Sequence, residues 1–460
     1  RMALDRAARD QRATRARELV PQLAEQGVVA VATTWVDNSG ITRVKAVPLA
    51  RLEHAAAWGI GASPVFDAFL ADDSIVSGRF AGGPVGDLRL HPDLDRLVAL
   101  HLQPGWAWAP ADRYTQDGTV HVQDQRSLAR RAAAALAERG LRAQVAFEVE
   151  WAIALPLDGF VPAVDGPAYG MTRLVGRSDY LRDLLVALDR QGVVVEQVHP
   201  EYAAGQFEIS VAVADPVGAA DTSVLVRETI RACSQRHGVL TSFSPKIVVD
   251  GAGNGGHVHL SLWRDEQNLF ADGSARFGLH RLAASFAAGI LHRLPALLAV
   301  GAPSPASYLR LIPQHWAGPY QAWGLENRET ALRLVHGAPG DEGRAANLEV
   351  KAFDLAANPY LVVAALIFAG LAGIEAKLDL PEPIDVDPAS LSDTERTERG
   401  IAPVPTDLLA ATDAFEADGV LSAAFGPELT ATIADVRRAE VARFASGDAS
   451  DIVAGLLWKY

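Results

Sequence analysis

Cysteine occurs once in 460 residues, at Cys233. No disulfide can form within the chain, and a thiolate zinc site would lack ligands. Cys233 reads as a small buried hydrophobe. Positive charge is also short: 42 Lys and Arg face 56 Asp and Glu, a formal net charge of −14. That excludes a nucleic-acid backbone as partner, because phosphate chains need basic patches. A nucleotide carried with a metal ion stays compatible. The longest apolar run is LVVAALIFAGLAGI, residues 361–374. It falls short of the ~20 residues a membrane span needs, so it reads as a buried helix and no membrane partner is expected. The opening RMALDRAARDQRATRARELV is too charged for a secretory signal. A cytoplasmic protein is the expectation.

What is present fits a large globular protein. A chain of 460 residues exceeds what one core usually serves, so two domains or one large elaborated one are expected. Residues 14–26 read as an amphipathic helix. VVAVATTWV (28–36), DNSG (37–40) and ITRVKAV follow as strand, turn and strand, a hairpin. HPDLDRLVALHL (91–102) suggests another strand. PGWAWAPADRYTQDG (104–118) is rich in Pro, Gly and Trp and reads as a linker, giving domains 1–110 and 111–460. Helices are expected over 126–140, 178–192 (N-cap Ser178 or Asp179), 216–238, 281–294 and 360–376. Strands are expected over 143–155, 205–213, 245–250 and 257–263. Strands and helices mix without a βαβ rhythm, so the fold class is α+β.

Side chains two apart on a strand share a face. In AFEVEWAI, Glu148 and Glu150 point away from Val149 and Trp151. In GQFEISVAV, Gln206, Glu208 and Ser210 share the polar face; in HVHLSLW, His257, His259 and Ser261 do. A solvated face would also carry lysine and threonine. Carboxylates with an imidazole suit hard divalent cations, Mg²⁺ or Mn²⁺. The run GAGNGG matches GxGxxG at Gly251, Gly253 and Gly256, but a strand follows it where a dinucleotide fingerprint needs a helix. It reads as a turn that lets backbone approach a small ligand.

These segments resemble the glutamine synthetase family over nearly the whole chain. FEVEW, HPEYAAGQFE, GNGGHVHLSLW, SYLRLIP, ENRETALRL and ANLEVKAFDLAANPY are similar to that family's motifs and follow its order. The resemblance implies a small N-terminal β-grasp domain, then a catalytic domain whose curved antiparallel sheet lines a funnel-shaped site. It implies a homo-oligomer of hexameric rings, up to a dodecamer, with each β-grasp domain closing a neighbour's site. It implies ATP and two to three Mg²⁺ or Mn²⁺ ions per site.

Carried over residue by residue, Glu150, Glu201 and Glu208 would hold the metal nearer the acid substrate. Glu148, His257 and Glu349 would hold the one nearer the nucleotide. His259, Ser261, Arg328 and Arg333 would lie toward ATP. Arg310 matches the arginine that pairs with the substrate carboxylate, a task that suits a forked guanidinium. Gly253 falls where the loop backbone contacts the amino acid, and Lys351 falls at the substrate. Arg328 is also the candidate for stabilising the tetrahedral oxyanion.

Departures from the family pattern direct the functional reading. Six residues after Arg310, ammonia-using members carry a flap glutamate; here stands Trp316. Lys351 replaces an arginine, Asn347 replaces another, and Gly61 falls closest to an expected ammonium-site aspartate. Leu378 stands where some bacterial members carry an adenylylated tyrosine. Lost acids weaken a site for a small cation, and an indole walls an apolar group. The expectation is an ATP-dependent ligase of nitrogen metabolism. It would phosphorylate the side-chain carboxylate of glutamate or a related acid and condense the acyl phosphate with an organic amine. A flap over 314–324, hinged at Gly318 and Gly324, would exclude water. The alternatives are glutamine synthetase using ammonium, a phosphotransferase, and a non-catalytic nucleotide-binding regulator.

Overall fold

Asp5 accepts the amide of Ala8 and starts the first helix, Arg6–Glu25, well before residue 14. Of this helix only Ala16 and Leu23 are buried. They pack with Val28, Val31, Leu52, Ala56 and Ala107 in a small core of their own. The computed structural model describes residues 3–80 and 82–460.

The hairpin forms as Ala30–Val36 against Thr42–Pro48. Its turn is held from inside, because the Asp37 carboxylate accepts the amides of Ser39 and Ile41. Gly40 has φ 79°, and a Cβ there would stand 1.8 Å from the Ala356 carbonyl oxygen. Asn358 reaches back to donate to the Val36 carbonyl. The hairpin tip is thus docked on the large domain by the AANPY segment. Residues 104–118 are not a linker. Trp106–Thr115 is a buried strand in the middle of the N-terminal sheet, parallel to Ala30–Val36 and antiparallel to Leu88–Pro92. The boundary expected after residue 110 falls inside this strand.

The large domain carries two further sheets. One has four strands in the order Leu240–Ser242, Val149–Ala154, Gln206–Val211, Val195–Pro200. In the other, Val258–Arg264 pairs with Arg142–Phe147 and Asn347–Val350, and Thr330–Val335 follows. Pairing is antiparallel except between Tyr320–Leu325 and Thr330–Val335. The single strand expected over 143–155 is therefore two strands in two sheets, with Glu148 at the crossing. Residues 245–250 form no strand; Lys246 makes only an isolated bridge to Gly253. Gly324 sits within a strand, so it is no hinge. Helix Ser178–Arg190 starts without a side-chain cap from Ser178 or Asp179.

Helices cover the outer faces of the sheets. Pro359–Glu375 is buried almost throughout and packs against Gln125–Ala137, Arg281–His292 and Pro216–Arg236. Among the described residues, no single helix is long and apolar enough to cross a membrane. The architecture is α+β, an N-terminal domain followed by a larger one with a curled sheet and surrounding helices.

Candidate active site

The crossing at Glu148 is what gathers the acids. Its amide donates to the His257 carbonyl at 2.9 Å, which stitches the two sheets together there. Cross-strand register does the rest: Glu208 lies opposite Glu150 and His199, and Glu349 lies opposite His259 and Arg333. Directly opposed residues have neighbouring side chains, so charged groups from distant segments share one floor.

They form two clusters. In the first, Nδ1 of His257 stands 2.9 Å from Glu148 Oε2 and 3.2 Å from Glu349 Oε1. His259 Nε2 lies 2.8 Å from Glu148 Oε1, and its Nδ1 lies 2.8 Å from Asn347 Oδ1. Burial opposes charge on His259, but the Glu148 carboxylate outweighs it and lifts the imidazole to about 9. Burial likewise opposes ionisation of Glu148, yet the two imidazoles hold it well below the usual carboxylate range. In the second cluster, His199 Nε2 stands 3.3 Å from Glu208 and its Nδ1 3.7 Å from Glu201. Burial, with Glu148 and Glu150 nearby, pushes Glu208 up to about 8 despite His199. Glu201 is raised by burial and then by Glu150. Glu150 itself accepts the Gly255 amide at 2.5 Å, and a Cβ on Gly255 would collide with His257.

The donor sets fit divalent cations. Glu148, His257 and Glu349 offer ligand atoms mutually within 4.8 Å, and so do His199, Glu201 and Glu208. The second set is crowded with carboxyls that resist ionising together, and a dication relieves that repulsion. Oxygen-rich donors with one imidazole each suit Mg²⁺ or Mn²⁺. His199 was not among the expected ligands. Pro200 and Glu201 drew the reading away from it, although its place opposite Glu208 follows from strand pairing.

The remaining residues divide. Arg310 is buried; its Nη2 donates to the Lys351 carbonyl at 2.9 Å and approaches His257 Nε2 at 3.1 Å. Its buried Nη1 has no partner among the described residues. Gly253 backs onto Arg310, where a Cβ would stand 2.7 Å from Arg310 Cγ, and its carbonyl accepts from Gln206. Lys351 is buried with Nζ 3.4 Å from Glu349. Arg333 donates to Glu349 at 2.9 Å and to Glu326 at 2.7 Å. Ser261 accepts from the Trp263 indole at 2.8 Å. Arg328 is exposed and lies outside both clusters, 6.0 Å from the Trp316 ring centroid. Trp316 lies on a turn whose amides are held by Glu329, a residue that sequence reasoning passed over. Gly61 faces open space apart from the Arg89 guanidinium, and the nearby Asp67 is tied to Arg113 and His121.

Comparisons with known proteins identify the family. The family model described as glutamine synthetase, catalytic domain, matches residues 122–451, and the glutamine synthetase N-terminal domain matches residues 16–125. The chain is 54% identical over 450 residues to gamma-glutamylpolyamine synthetase GlnA3 of Streptomyces coelicolor, covering 97% of each. It is 34% identical to a glutamine synthetase of Methanocaldococcus jannaschii over 80% of this chain and 82% of that one. A solved structure titled as a novel glutamine synthase homolog superposes with a TM-score of 0.84 at 32% identity, covering 94% and 99% of the two chains. A GmaS/ADP complex superposes with a TM-score of 0.82 at 29% identity, covering 94% and 97%.

Proposed function

The chain belongs to the glutamine synthetase family, and from that membership we propose that it joins glutamate to a polyamine through an amide bond at the expense of ATP. It is an ATP-dependent carboxylate–amine ligase. Family members use ATP with divalent metals, act on small molecules and are commonly oligomeric. The observation that carries the polyamine reading is the 54% identity, end to end, to a gamma-glutamylpolyamine synthetase. Trp316 supports it: a large apolar ring stands at the place of the flap acid that serves ammonium.

In this reading Glu148, His257 and Glu349 hold one cation, and Glu150, Glu201 and Glu208 hold a second with His199 beside them. The cations, Mg²⁺ or Mn²⁺, supply positive charge against the triphosphate. Arg333 and Arg328 contact phosphate, while His259 and Ser261 lie toward the nucleotide. Arg310 takes the substrate's α-carboxylate with its free Nη1, and the Gly253 backbone and Lys351 line the acid. The side-chain carboxylate, positioned in line with the γ-phosphorus, attacks it, and the acyl phosphate then has a good leaving group. The amine nitrogen attacks the carbonyl, Arg328 compensates the oxyanion, and phosphate departs. The turn bearing Trp316 walls the amine's methylenes and keeps water from the acyl phosphate. Hexameric rings or a dodecamer, and a cytoplasmic location, complete the proposal.

The test is phosphate release with mass analysis of the product, using glutamate, Mg·ATP and either ammonium or a linear aliphatic polyamine. A glutamyl amide of the polyamine is expected, with little glutamine. Efficient glutamine formation without polyamine turnover overturns the proposal. A stable phosphorylated product with no amide would indicate phosphotransfer instead.

A further inference from the structure

Glu329 is only 6% exposed, yet its carboxylate serves an exposed turn. One oxygen accepts the amide of Gln314 at 3.0 Å and the other the amide of Trp316 at 2.6 Å. Both donors have left-handed backbones, φ 62° and 52°, which residues with side chains rarely adopt without support. Trp316 is 57% exposed, so packing does not hold its ring; its placement depends on the backbone beneath it. Water would satisfy these two amides without cost to the fold. Burying a carboxylate to hold them instead is expensive, and what it secures is the shape of the turn.

The base of this clasp is fixed as well. The Glu329 amide donates to Asn327 Oδ1 at 3.1 Å, and Asn327 Nδ2 donates to the carbonyls of Ile384 and Val386. At the far end of the turn a Cβ on Gly318 would stand 3.0 Å from Lys351 Cβ, so the turn abuts the strand end that follows Glu349. Arg328, next in sequence to Glu329, reaches the Trp316 ring. One buried carboxylate thereby holds the backbone that carries the indole.

We propose that Glu329 is a positioning residue for the amine half-reaction, clamping the turn through the Gln314 and Trp316 amides so that Trp316 shields the acyl phosphate and seats the amine. The proposal rests on the ligase reading above. It assigns Glu329 no contact with substrate. Loosening the clamp leaves phosphorylation of the acid intact. It lets water reach the acyl carbonyl, where water adds, phosphate leaves, and the acid returns with ATP consumed for nothing.

The test compares wild type with Glu329→Gln and Glu329→Ala. Gln keeps one acceptor oxygen and turns an NH₂ group toward the other amide; Ala removes both. The amine KM is expected to rise about tenfold in Ala and less in Gln, while the ATP KM stays within about twofold. Phosphate release with glutamate but no amine is expected to rise several-fold. Hydrogen exchange across residues 312–318 is expected to be slow for so exposed a turn in wild type and faster in both variants. Unchanged exchange in Gln, or an unchanged ratio of amine KM to ATP KM with only a lower melting temperature, overturns the proposal. If Ala does not fold, Gln alone decides. A wild type without amine-dependent turnover would sink the ligase reading, whereas an active wild type with an indifferent Gln variant sinks only the clamp.

Discussion

Nη2 of Arg310 stands 3.1 Å from Nε2 of His257. A guanidinium can only donate, so this contact needs a lone pair on Nε2. In the neutral ring the proton is then on Nδ1, facing Glu148 and Glu349. A cation held by Glu148, His257 and Glu349 would draw on the imidazole's lone pair and so compete with the Arg310 contact. Metal loading would therefore free Arg310 from His257 for the substrate carboxylate. Titrating glutamate into the protein with Mg²⁺ and a non-hydrolysable ATP analogue, then with chelator, should show about tenfold weaker binding without metal, a coupling in the usual range. Equal affinity in both would show that Arg310 is indifferent to the cation.

Arg310→Lys tests the acid pocket directly. The buried Nη1 lacks a partner among the described residues, while Nη2 is committed to the Lys351 carbonyl. A lysine ammonium on a flexible stem cannot serve both directions as the fork does. The glutamate KM should rise about 30-fold, the loss of one charge-assisted hydrogen bond, with the ATP KM nearly unchanged. A matching rise in both constants would mean that Arg310 holds the site together and does not bind the acid.

Trp316→Glu places a carboxylate on the turn. The backbone there is already left-handed at a non-glycine residue, so the exchange adds no backbone strain. An acid at this place favours a small cation and removes the apolar wall. Glutamine formation from ammonium should rise at least about tenfold in kcat/KM, and polyamine turnover should fall by a similar factor. If neither changes, the indole lies outside the amine's path. The partner change Gly61→Asp has room, since only the Arg89 guanidinium lies near.

Strand alternation puts acids and imidazoles on one face whatever the tertiary fold. That is how Glu148, Glu150, Glu208, His257 and His259 came to be expected together, whereas the sets that add Glu201 and Glu349 came only from the family resemblance. The split of residues 142–154 between two sheets was not readable: no glycine or proline marks Glu148 as a crossing, and only pairing with Val258–Arg264 and Gln206–Val211 decides it. The strand Trp106–Thr115 was mistaken for a linker because Pro, Gly and Trp signal loops locally, while its burial between two strands is a tertiary fact. His199 needed register across a strand pair. Glu329 carried no signal, since the amides it holds lie 13 and 15 residues earlier along the chain.

His91 is a buried imidazole away from the active site. Its Nδ1 lies 3.0 Å from the Ala56 carbonyl and its ring is edge-on to Tyr114. Burial, with Arg12 and Arg9 nearby, pushes its value down from 6.5 to about 4. The folded state thus prefers the neutral ring. The stability this contributes is complete above the unfolded value near 6.5 and is lost as pH falls through about 4. Its size is about 3 kcal/mol at most, from a shift of this extent. His91→Gln keeps a donor for Ala56 and does not titrate. Urea denaturation should therefore show a wild-type stability that falls relative to the variant between pH 6.5 and 4 and stays parallel to it above 7. Parallel curves across the whole range would mean that His91 opens to solvent when it takes up its proton.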